Sequence, residues 1–71
     1  NLTKRIEYVD ISGTDYPEYI AEAKPGTAAD VAKWRVRKLV YTGINVTSIL
    51  WADGNAKYDN VANAMSSLTY S

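Results

Sequence analysis

The chain has 71 residues, eight Lys+Arg balanced by eight Asp+Glu, and neither cysteine nor histidine. A polypeptide this short makes one domain at most, over residues 1–71, and buries a smaller share of its surface than a typical domain. The composition excludes a disulfide, removes the commonest metal ligand and general base, and provides no global field to attract nucleic acid or an anionic membrane.

Arg5-Ile-Glu-Tyr-Val-Asp10 mixes β-branched, aromatic and charged residues as a half-buried strand does, and Ser12-Gly13-Thr14-Asp15 supplies a turn after it. Pro17 belongs at the first residues or on the edge of a second strand, which Glu18-Tyr-Ile-Ala-Glu22 carries on to Lys24-Pro25-Gly26. Thr27 to Lys33 reads as a loop with at most one helical turn. The strongest strand is Trp34 to Tyr41, answered after Thr42-Gly43-Ile44-Asn45 by Val46 to Ala52, so these two form an antiparallel hairpin. After Asp53-Gly54-Asn55, the spacing of Tyr58, Val61, Met65 and Leu68 draws one apolar helical face. The fold class expected is therefore mainly β: a small four-stranded antiparallel sheet with a short C-terminal helix.

Alternation puts Trp34, Val36, Lys38 and Val40 on one side of the third strand, and Arg35, Arg37, Leu39 and Tyr41 on the other. On the fourth, Thr47, Ile49 and Trp51 share a side, and Val46, Ser48, Leu50 and Ala52 share the opposite one. Both sheet faces thus carry large apolar groups. The C-terminal helix can cover one, and the other calls for an external cover.

The stretch Lys33 to Tyr41 has the cations and rings of a nucleic-acid-binding platform. The competing reading pairs Arg35 and Arg37 with acids on neighbouring strands, with Glu18, Glu22 or Glu7 as candidates, and the zero net charge favours it. No catalytic triad can be drawn without His or Cys, so no enzyme, catalytic residue, metal site or cofactor is expected. Asp53-Gly-Asn55 with Asp59 faintly resembles a calcium loop, but its glycine is misplaced and no bidentate glutamate follows. Asn1-Leu-Thr3 and Asn45-Val-Thr47 match the glycosylation triplet by chance-level pattern only. No apolar run approaches the about 20 residues of a membrane span, and Asn1-Leu-Thr-Lys-Arg5 has no signal-peptide core, so neither a membrane nor standard secretion is expected.

Tyr19-Ile-Ala-Glu-Ala-Lys-Pro-Gly-Thr27, Trp34-Arg-Val-Arg-Lys38, Thr47-Ser-Ile-Leu-Trp-Ala-Asp-Gly54, Tyr58-Asp-Asn-Val61 and Ser67-Leu-Thr-Tyr-Ser71 together resemble a family of small virion-associated proteins encoded by tailed bacteriophages. Two departures stand out. Ala21 replaces the family's usual glycine, and Ala62 to Ala64 lie where a bulky tryptophan-to-arginine segment is expected. The resemblance implies a structural virion protein, made in the host cytoplasm, that decorates or cements a capsid or caps a fibre. Its partners would be other virion proteins and further copies of itself. The interface and packing residues expected are Trp34, Trp51, Tyr41 and Tyr70, with Arg35 and Arg37 as polar partners. The rival functions are a nucleic-acid-binding module using residues 33–41 and a glycan-binding module on the aromatic face.

Overall fold

A computed structural model describes residues 2–71, so Asn1, the acceptor of the first glycosylation triplet, lies outside the described residues. The strands are β1 (Thr3–Ile11), β2 (Thr14–Ala23), β3 (Ala32–Thr42), β4 (Asn45–Trp51) and the two-residue β5 (Asn60–Val61), followed by a 3₁₀ helix over Ala62–Ser67. The first four form one antiparallel sheet in the order β1-β2-β3-β4, and β5 pairs with the start of β3.

Turn chemistry creates both hairpins. Ile11 faces Thr14 across a two-residue loop, Ser12-Gly13, in which both residues have positive φ, and the Asp10 carboxylate accepts a bond from the Gly13 amide at 2.9 Å. Thr42 faces Asn45 across Gly43-Ile44, where only the glycine has positive φ (63°). These are the signs of turns whose twist matches that of the flanking strands.

Two bulges adjust the sheet. Between β1 and β2 the register steps from Glu7↔Tyr19 to Tyr8↔Pro17, leaving Glu18 as the extra residue. Pro17 therefore sits inside β2 and not at its start or on an outer strand. It is tolerated because it adjoins a bulge and because β2 pairs with β3 only over Tyr19 to Glu22, so β2 is locally an edge at residue 17. Between β3 and β4 the register steps from Val40↔Ser48 to Tyr41↔Val46, leaving Thr47 extra. That bulge changes the expected alternation, placing Val46 opposite Tyr41 and not on the side of Leu50.

One sheet face holds the core: Ala21, Ala23, Trp34, Val36 and Ala52, closed over by Ala62 and Met65 of the 3₁₀ helix, with Tyr19, Ala29, Leu68 and Tyr70 packed around them. Trp34 and Val36 are the largest fully buried side chains, and the Trp34 indole N–H donates to the Ala28 carbonyl at 2.8 Å. The tail then runs beside the end of β4. Trp51 and Ser71 exchange backbone bonds at 3.3 and 3.2 Å, and the Asp53 amide donates to the Thr69 carbonyl at 2.8 Å. Ala21 and Ala62 are fully buried, while Asn63 is exposed and Ala64 half-buried.

The expected helical face from Tyr58 to Leu68 is not formed as such. Only Ala62–Ser67 is helical, in the tighter 3₁₀ form and without a side-chain N-cap bond; Val61 is in β5 and Tyr58 is exposed. Asparagine and serine favour local backbone bonds over helix, and pairing of Asn60 and Val61 with Trp34 and Ala32 satisfies the segment's backbone instead.

Candidate interaction surface

The second sheet face has no cover among the described residues. Register defines its rows, because directly opposed residues project to the same side. Lys4, Glu22 and Arg35 form one row, and Ile6, Ile20, Arg37 and Trp51 form the next. Leu39 then faces Ile49, while Tyr8 faces Pro17.

Glu22 is the centre of the face. It is 5% exposed, and its Oε1 accepts from Arg37 at 2.8 Å and from Arg35 Nε at 3.2 Å, with Lys4 Nζ at 3.9 Å from Oε2. Burying a carboxylate is tolerable only with such partners. The guanidinium carbons of Arg35 and Arg37 lie 5.7 and 5.8 Å from the Trp51 ring centroid, and that of Arg35 is 4.9 Å from the Tyr58 ring. Each such contact adds about 0.5–1 kcal/mol at a partly exposed site and favours keeping the rings beside the cations.

The six residues expected at an interface separate accordingly. Arg35, Arg37 and Trp51 gather on the open face. Trp34 does not: at 1% exposure it is core and not a surface anchor, because its face is the one the C-terminal segment covers. Tyr70 packs on that covered side, its ring 5.4 Å from Tyr19 and its hydroxyl donating to the Met65 carbonyl at 2.6 Å. Tyr41 bridges the diverging hairpins, donating to the Pro17 carbonyl at 2.6 Å with its ring 5.7 Å from that of Tyr16. Beside it lies a cleft of about 450 Å³ bordered by Val9, Ile11, Glu18, Lys38, Val40 and Tyr41. Sequence reasoning missed Tyr58, which sits C-terminal to a turn made by successive left-handed residues, Asp53 (φ 58°) and Gly54 (φ 70°). No local pattern announces that a ring beyond this turn reaches Arg35.

Burial, then the neighbouring Tyr19, Glu7 and Asp53, raise the Tyr70 hydroxyl well above the usual phenol range. The folded state therefore holds this proton more tightly than the unfolded chain, and its stabilising effect is fully present below the ordinary value of 10.0 and declines as pH rises beyond it. Tyr70→Phe is expected to flatten that alkaline decline in denaturant midpoints measured across the range.

Among the described residues no group of three or more His, Cys, Asp or Glu could hold a metal, and no helix is long and apolar enough to cross a membrane. In comparisons with known proteins, the chain matches no family model, no curated protein and no solved structure.

Proposed function

We propose that this domain is a non-enzymatic structural protein of a tailed-bacteriophage virion, seating its open sheet face on a capsid or fibre protein. The virion assignment rests on the sequence resemblance; the observation that supports docking through this face is the asymmetry of the sheet. One face is closed by the chain's own C-terminal segment, whereas the other presents Ile6, Tyr8, Ile49 and Tyr58 as exposed large apolar groups around half-buried Trp51. Aromatic and arginine side chains are the groups that concentrate binding energy at protein interfaces. The molecule's 34 by 22 Å extent bounds a one-face footprint at about 750 Å², just below the about 800 Å² per partner of a standard interface.

The Arg35 and Arg37 guanidiniums already have an internal carboxylate, and they lie against the rings that a base would have to stack on. This favours protein docking over nucleic-acid binding. The test is particle incorporation: the chain should be found by mass spectrometry in purified virions, and Ile6→Glu or Tyr8→Glu, at exposed β1 positions, should exclude an otherwise folded chain. A folded variant that incorporates normally overturns the docking face. Salt-sensitive binding to single- or double-stranded nucleic acid, lost in Arg35→Ala and Arg37→Ala, would replace the reading with the nucleic-acid one.

A further inference from the structure

We infer that the outer edge of β4 is a self-pairing edge, and that two copies of this chain join there by antiparallel β4–β4 pairing into one continuous sheet. This goes beyond the docking of the open face and does not depend on it.

The two outer strands of the sheet are built differently. β1 carries Lys4, Arg5, Glu7 and Asp10, the charged guards that keep an exposed edge from accepting another strand. β4 has none. From Thr42 through Ala52 the chain contains no charged residue and no proline, and the strand itself, Asn45-Val-Thr-Ser-Ile-Leu-Trp51, is rich in residues that favour extended pairing. Three of the exposed large apolar side chains cluster at this margin: Ile44 (60% exposed), Val46 (45%) and Ile49 (55%).

The backbone of this edge is available as well. Trp51 turns both its N–H and its C=O away from β3 to Ser71. In an antiparallel ladder the direction repeats every second residue, so Ile49 turns its own pair the same way. The tail pairs only alongside Trp51 to Asp53, and among the described residues no strand lies beyond β4. Among the described residues nothing occupies the lane that the tail begins alongside Asn45 to Leu50.

Charge selects the occupant. In a two-fold antiparallel pairing a strand meets its own copy, so a charge on the axis would face its like. β4 carries no charge and meets itself without that penalty in any register. Pairing β1 of one copy with β4 of another would be head-to-tail and open-ended, and the charges of β1 guard against it.

Sedimentation equilibrium over a concentration series tests this, combined with amide exchange read at Ile49. The chain should dimerise, with the Ile49 amide slowing in exchange as concentration rises. Val46→Lys, at an exposed position, should weaken the dimer at least about tenfold and restore fast exchange at Ile49 while circular dichroism stays unchanged. Ile6→Glu, on the opposite margin, should leave the dimer intact. Three results would each overturn the proposal: a monomer throughout the series, a dimer in which exchange at Ile49 is independent of concentration, or a dimer broken by Ile6→Glu and untouched by Val46→Lys. The last would assign self-association to the open face.

Discussion

Trp34→Ala is expected to unfold this domain or bring it to the brink. Among the described residues seven form the fully buried core, and four of them, Ala21, Ala23, Ala52 and Ala62, contribute only a methyl group each. Trp34 supplies the single large surface on which Val36, Met65 and the C-terminal segment converge. Truncating a buried tryptophan costs about 3–5 kcal/mol, and the Ala28 carbonyl also loses its donor. A chain of this length has a total stability of about 4–10 kcal/mol, so most or all of it is at stake. Thermal unfolding followed by circular dichroism should fall by about 20 °C or lose its cooperative transition. Trp34→Phe, which keeps a ring but removes the indole N–H, should retain a cooperative transition at a lower temperature. If the alanine variant lost less than about 1 kcal/mol, Trp34 would not be the central support of the core.

The second large effect concerns Glu22. Glu22→Gln keeps the shape of the side chain and removes the charge to which Arg35, Arg37 and Lys4 are directed. The two guanidiniums would then repel each other across a half-buried site. Removing one partner of a fully buried ion pair costs about 3–5 kcal/mol; here the arginine side chains retain 28% and 25% exposure, so the expected loss is about 2–3 kcal/mol in denaturant unfolding. The Lys4 contact, at 3.9 Å and with the lysine largely in water, adds little. A double-mutant cycle of Glu22→Gln with Arg37→Met should show strong coupling, because each variant abolishes the same charge pairing, made at 2.8 Å. Additive losses would mean that Glu22 stabilises the sheet by packing and not through its charge.

These two residues bear different relations to the surface proposed for docking. Trp34 acts on the covered side and supports the sheet as a whole. Glu22 acts on the open side, where it holds Arg35 and Arg37 beside Trp51 and so pre-arranges the polar and aromatic groups a partner would meet.

Much of this architecture could be read from residues near one another in the chain. Alternating β-branched and aromatic residues, broken by Ser12-Gly13, Pro25-Gly26, Gly43 and Asp53-Gly54, define four strands and their turns because strand period and turn conformation are local properties. Charge balance likewise anticipated that Arg35 and Arg37 would be paired, with Glu22 among their candidate partners. Only the tertiary structure decided which side of β3 would be interior. Alternation assigns Trp34 and Arg35 to opposite sides, but the choice of covered side depends on where Met65 and Tyr70, some thirty residues further along, come to pack. The bulges at Glu18 and Thr47 shifted the pairing in ways no single strand encodes, since a bulge is a relation between two strands. Tyr58 reached the open face for the same reason: side-chain spacing allowed a helix, and pairing of Asn60 and Val61 with β3 prevailed over it.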